Sequence, residues 1–161
     1  MNGIGVHRVE VSLKNEFTDS EAIAASALLR ATGAHSINRI KTSKVYEVSG
    51  SFTIAQIHRL SRELLSDPVT QESRILSNPL PTPSSGPLWR IEIRLKPTVS
   101  DPEADTIRDA ILEMGLPLPD SVRVLSIFKV ESKCPKPQME AAVSRGLANP
   151  VIHLFSVTAS S

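Results

Sequence analysis

Residues able to do chemistry are sparse in this chain, and the ones that stand out come in pairs. Lys14 and Lys96 each close a run of alternating apolar residues, and each is followed five positions on by an aspartate, Asp19 or Asp101. A lysine at a strand end can hold a phosphate or a partner's acid. It can equally stand solvated, which is the simpler reading. The aspartates precede helix-like stretches and are read first as N-caps, where a carboxylate accepts the unpaired N–H groups of the first turn. His7, His35, His58 and His153 are scattered without ligand spacing, so neither a metal nor another cofactor is expected. Cys134 lies between Lys133 and Pro135, where the lysine could lower its pKa, but it has no matching cysteine and reads as a plain loop thiol. Gly3 and Gly5 are too isolated to cradle a phosphate, and no P-loop or dinucleotide fingerprint occurs. No nucleophile with its base and no acid pair can be drawn, so no catalytic residue is expected.

The elements that must position these residues also come twice. Residues 8–76 laid over 90–158, at an offset of 82 and without a gap, bring identical residues together. Among them are Arg8/Arg90, Glu10/Glu92, Lys14/Lys96, Asp19/Asp101, Gly33/Gly115, Pro68/Pro150 and Val69/Val151. Conservative pairs such as Val9/Ile91, Leu29/Ile111 and Tyr46/Phe128 fall where each copy should face its core. The alternation Val9-Glu10-Val11-Ser12-Leu13, matched by Ile91-Glu92-Ile93-Arg94-Leu95, predicts a half-buried strand. Asp101-Pro102-Glu103 then predicts a capped helix start. Ile107, Ala110, Ile111 and Met114 recur at helical spacing, as do Ala25, Leu28, Leu29 and Thr32. Gly33 and Gly115 are expected to close these helices in a left-handed cap. Residues 40–48 and 122–130 predict one long strand or a hairpin. Ile54, Ile57, Leu60, Leu64 and Leu65 mark a second helix, followed less fully by Met139, Ala142, Val143 and Leu147. Asp67-Pro68 and Asn149-Pro150 break it before a last strand.

Between the copies, residues 77–87 hold four prolines in eleven positions, which cannot sustain a helix or a central strand. The expected organisation is a first unit at 1–77, a linker at 78–88 and a second unit at 89–161. Each unit reads strand, helix, one or two strands, helix, strand: a ferredoxin-like α+β plan. A unit of this size buries only about 60% of its unfolded surface, so pairing the copies is the natural remedy.

Composition narrows the function classes. The net charge of +1 gives no electrostatic argument for nucleic acid or an anionic membrane. No apolar run approaches the roughly 20 residues that span a bilayer, and the N-terminal stretch lacks the basic and apolar regions of a secretory signal. The lone cysteine rules out an internal disulfide and fits a reducing compartment. A cytoplasmic protein is expected.

Several of these segments have a familiar order. Arg94-Leu95-Lys96, then Ser100-Asp101-Pro102-Glu103-Ala104, and later Leu147-Ala148-Asn149-Pro150-Val151-Ile152 resemble the PurS family, the small subunit of phosphoribosylformylglycinamidine (FGAM) synthase. The first copy carries weaker versions in Ser12-Leu13-Lys14, Asp19-Ser20-Glu21-Ala22 and Leu65-Ser66-Asp67-Pro68-Val69. Where the family usually has a Gly-Lys pair in its middle strand segment, this chain has Ser43-Lys44 and Leu125-Ser126. The resemblance implies two PurS-like βαββαβ units with antiparallel sheets, packed as a pseudo-dimer. It implies an accessory role in purine biosynthesis, in a complex whose large subunit performs ATP-dependent amidation while a glutaminase subunit supplies ammonia. PurS-like subunits bridge the two and carry no catalytic residues. Lys14 and Lys96 would then be contacts to a partner subunit or a phosphate, and the duplicated chain could itself pair into a homodimer.

Two other classes compete. A regulatory small-molecule module would have glycine-containing loops after the first strand, where this chain has Asn15-Glu16-Phe17 and Pro97-Thr98-Val99. An RNA-binding module would need paired aromatics and a basic surface, whereas Tyr46 and Phe128 are one per copy. Trp89, without a counterpart, reads as packing on its own sheet rather than as an interface anchor.

Overall fold

The computed structural model describes residues 3–76 and 88–159. The segment read as a linker lies at 77–87, outside them. The first alternating run becomes strand β1 (Gly3–Leu13), with Val9 and Val11 turned into the core. Helix α1 (Ser20–Ala31) follows, and then β2 (Ile37–Phe52), a single continuous strand of 16 residues where a strand or a hairpin had been open. The chain continues through α2 (Ile54–Glu63) and β3 (Gln71–Leu76). The second copy repeats the order with β4 (Leu88–Leu95), α3 (Pro102–Glu113), β5 (Ser121–Ser132), α4 (Lys136–Ala142) and β6 (His153–Ala159). Strand β4 begins at Leu88, one residue inside the expected linker boundary.

The class is α+β with one antiparallel sheet, in the order β3-β1-β2-β5-β4-β6. β1 pairs with β2 from Gly3↔Phe52 to Val11↔Lys44, and with β3 from Arg8↔Leu76 to Leu13↔Gln71. β4 pairs in the same manner with β5 and β6.

Local signals explain where the helices start and stop. The carboxylates of Asp19 and Asp101 accept the N–H groups of Ala22 and Ala104 at 2.9 and 3.1 Å, as N-caps should. Thr53 and Gln56 form a reciprocal capping box at the start of α2. Gly33 and Gly115 have φ of 122° and 75°, a region that side chains with a Cβ avoid, so the chain leaves α1 and α3 as expected. Pro135 and Pro137 confine the start of α4, which is short and widens into a π-helical turn over Val143–Leu147. Leu28 departs from its expected inward place: it is 46% exposed, while its neighbours Ala25 and Leu29 take the buried face of α1.

The two compact units of the fold do not coincide with the two sequence repeats. One comprises residues 1–17, 43–80 and 100–125; the other comprises 18–42, 81–99 and 126–161. The first unit therefore holds β1, α2 and β3 together with α3 of the second copy. Its core joins Val9, Val11, Phe52, Ile57 and Leu60 to Ile107 and Ile111. The second unit holds β4, α4 and β6 together with α1 of the first copy, and its core joins Ile91, Ile93, Met139 and Val143 to Leu29 and Ile37. Each core is mainly aliphatic and contains one helix borrowed from the other repeat.

Candidate functional site

The paired lysines stand at matching turns. In the first unit the Lys14 N–H donates to Thr70 O at 2.9 Å and its ammonium donates to Pro68 O at 2.7 Å. The lysine thus ties the end of β1 to the loop that enters β3. That loop is built by Asp67, whose carboxylate accepts from Val69 N at 2.9 Å and Thr70 Oγ1 at 3.0 Å. In the second unit the Lys96 N–H donates to Ile152 O at 2.8 Å, and Asn149 Oδ1 accepts from Val151 N at 3.0 Å. His153 Nδ1 accepts from Asn149 N at 2.9 Å, which places that imidazole in the turn. Neither lysine is fully exposed.

Each loop lifts a valine into solvent. Val69 is 70% exposed and Val151 is 77% exposed. Burying a valine contributes about 1.5 kcal/mol or more, so an exposed one at the tip of a braced turn does nothing for the fold. The two tips share Lys, Pro and Val although most other positions of the copies differ. These valines were legible only as part of a helix breaker; their exposure depends on the Asx turn that presents them.

Asp19 and Asp101 do more unequal work. Asp19 also accepts from Thr42 N at 2.9 Å and from Thr42 Oγ1 at 2.8 and 2.9 Å, fastening α1 to β2. The counterpart of Thr42 is Val124, which offers no hydroxyl.

Lining a cavity of about 430 Å³ in the first unit are Tyr46, the end of α2 and the first turns of α3. At its mouth the Tyr46 hydroxyl donates to Glu103 Oε1 at 3.5 Å, and Lys44 Nζ donates to both Glu103 oxygens at 3.0 and 3.2 Å. Burial, then the Glu103 charge and its hydrogen bond, pushes the Tyr46 phenol up to about 12, so it keeps its proton at neutral pH.

The remaining candidates fall into structural places. Cys134 stands in the loop between β5 and α4, but turned into the core at 4% exposure, and burial pushes its pKa up, the opposite of what Lys133 would do. Trp89 packs against the same core. The His7 ring meets Phe52 edge-on at 6.2 Å. Among the described residues no group of three or more His, Cys, Asp or Glu could hold a metal ion, and no helix is long and apolar enough to cross a membrane.

The profile of the PurS family, described as phosphoribosylformylglycinamidine (FGAM) synthase, matches this chain twice, over residues 6–78 and 88–161. The chain belongs to the PurS family. It is a tandem duplication of the PurS domain, and through that family it has a role in FGAM synthase. A comparison with curated proteins finds none that matches significantly. In this duplicated PurS protein the twin Lys/Pro-Val turns are surface features that the two domains hold in common.

Proposed function

We propose that this chain is a non-catalytic assembly subunit of FGAM synthase that bridges the large, amidating subunit and the glutaminase subunit. The enzyme turns formylglycinamide ribonucleotide, glutamine and ATP into FGAM, glutamate, ADP and phosphate. The observation that carries the reading is the double PurS match, which fills nearly the whole chain with two copies of one domain. A bridge needs two contact surfaces, and the turns at Lys14 and Lys96, each with its exposed valine, are our candidates. On this reading residues 1–77 and 89–161 are the two PurS-like domains and 78–88 is the tether. The complex is cytoplasmic, and two such chains can associate.

The test is co-purification with the large and glutaminase subunits, together with a glutamine-dependent FGAM assay. The expected result is association, and glutamine-dependent activity that falls to a small fraction when the chain is left out. Activity that is complete without it, and no association, would overturn the reading.

A second variant addresses the surface itself. Val69→Glu with Val151→Glu places charge on two tips that are already exposed, so thermal stability should stay within about 0.5 kcal/mol of the parent. Retention by the partner subunits should nevertheless drop by about tenfold or more, the usual loss when a central apolar contact is replaced by charge. Unchanged retention would remove these turns from the interface.

A further inference from the structure

The outward face of α1 is apolar where a solvated helix should be polar. Ile23 is 64% exposed and Leu28 46% exposed, and Ala24, Ala27 and Ala31 lie open beside them. These residues recur at spacings of three and four, so they form one stripe along the helix. It lies opposite Ala22, Ala25 and Leu29, which enter the core. The repeat supplies its own comparison. At the offset of 82, the places of Ile23, Ala24, Ala27 and Ala31 are held on α3 by Asp105, Thr106, Asp109 and Glu113, all exposed. The fold is therefore satisfied by a charged outer face at this helix, and only α1 has an apolar one. An exposed apolar stripe of this kind marks a contact.

The spacing selects the occupant. Lay two copies of α1 face to face and antiparallel, about a two-fold axis level with the midpoint between Ala25 and Ser26. Ile23 then comes level with Leu28 of the second copy, Ala24 with its Ala27, and Ser20 with its Ala31. The alanines meet at the centre, where their size lets the helix axes approach to about 8 Å, and the two large side chains flank them. The charges obey the same symmetry, because Glu21 in the first turn comes level with Arg30 in the last. A parallel pair would instead set Glu21 level with Glu21 and Arg30 with Arg30, and would align the two helix dipoles. Arg30 gives one N–H to Ile37 O at 3.0 Å and keeps others on its guanidinium. A contact between identical chains needs a surface complementary to itself, and this stripe is one.

We propose that the outer face of α1 is the surface through which two copies of this chain pair, as an antiparallel two-fold helix contact. The inference rests on the self-association included in the proposed function and gives it a site; contact with the amidating and glutaminase subunits does not enter it. The contact is small, about six residues a side against roughly 20–30 in a standard interface, so the dissociation constant should be about 100 µM.

The test is sedimentation equilibrium of the intact chain from about 10 µM to about 1 mM, with a thermal melt of every variant to confirm folding. The expected result for the parent is a reversible equilibrium between monomer and dimer. Ile23→Asp with Ala27→Asp, which installs the residues that α3 carries at those places, should weaken pairing by about tenfold or more. Leu112→Asp, at an exposed leucine of α3, should leave pairing unchanged. Glu21→Arg and Arg30→Glu should each self-associate about threefold less than the parent, while a mixture of the two recovers the parent's affinity. A chain that stays monomeric throughout, a dimer that survives the double variant, or charge variants that each pair as well as the parent would overturn the proposal. Co-purification with the FGAM synthase subunits is read separately on the double variant. Retention there alongside lost pairing assigns the face to the second copy. Lost retention, with a parent that never pairs, assigns it to those subunits instead and overturns the proposal.

Discussion

Gly146→Val should lower stability by about 3 kcal/mol and the melting temperature by about 10 °C. Gly146 sits in the π-helical turn after α4, and its φ is not positive, so the backbone itself would accept another residue. Space is what forbids one. The first added carbon would meet Leu28 O at 3.1 Å and Thr32 Oγ1 at 3.0 Å, and the former is main chain of α1 that cannot turn away. Thr32 Oγ1 is held as well, its one proton shared between Leu28 O at 2.8 Å and Ala142 O at 3.0 Å. Alanine regains about 1 kcal/mol of helix propensity against this crowding, so Gly146→Ala should cost only about 1 kcal/mol net. Valine adds two methyl groups with nowhere to go. Urea unfolding of the three proteins measures the series; a valine variant as stable as the parent would mean that α1 and the turn are free to separate.

Asp19→Ala should cost about 3 kcal/mol and Asp101→Ala about 1 kcal/mol, although the two are the same residue at the same place in the repeat. Both lose a cap. Only Asp19 also satisfies the N–H and hydroxyl of Thr42, which is 7% exposed and would be left with buried donors unpaired. Because Val124 occupies the matching place, the second copy has no such pair to break. Thr42→Val separates the contributions. In that background Asp19→Ala should cost about 1 kcal/mol less than in the parent, a coupling within the range for directly bonded neighbours. Equal losses for Asp19→Ala and Asp101→Ala would show that the strand contact contributes nothing.

The periodic and local features were legible in the residues. Alternation at Val9 and Val11 marks a strand whatever it pairs with. Asp19, Asp101, Gly33 and Gly115 act on backbone groups a few residues away, so each could be placed from its neighbours alone. The pocket was hidden for the opposite reason. Tyr46 belongs to the first copy and Glu103 to the second, and an offset that aligns Tyr46 with Phe128 gives no sign that the tyrosine will reach an acid 57 positions on. Leu28 misled through its spacing, since a helical stripe does not say which of its edges will be covered. Cys134 was judged by its charged and proline neighbours, but its burial comes from the core residues around it. The family match could be read from motif order, whereas the Asp19–Thr42 bonds required the path of β2.

The borrowed helices bear on how the chain folds as it is made. Thr32 and Ala142 meet across 110 positions of sequence, and Val9 shares a core with Ile111. Contacts this distant give the fold a high contact order and make folding slow, because long loops must close before any core rewards them. A ribosome that has released the first repeat has released no complete core: β1, α2 and β3 still lack α3, and α1 waits for α4. The apolar face of α1, centred on Leu29, has no cover until α4 has been made, and an apolar face left open in this way is prone to aggregation.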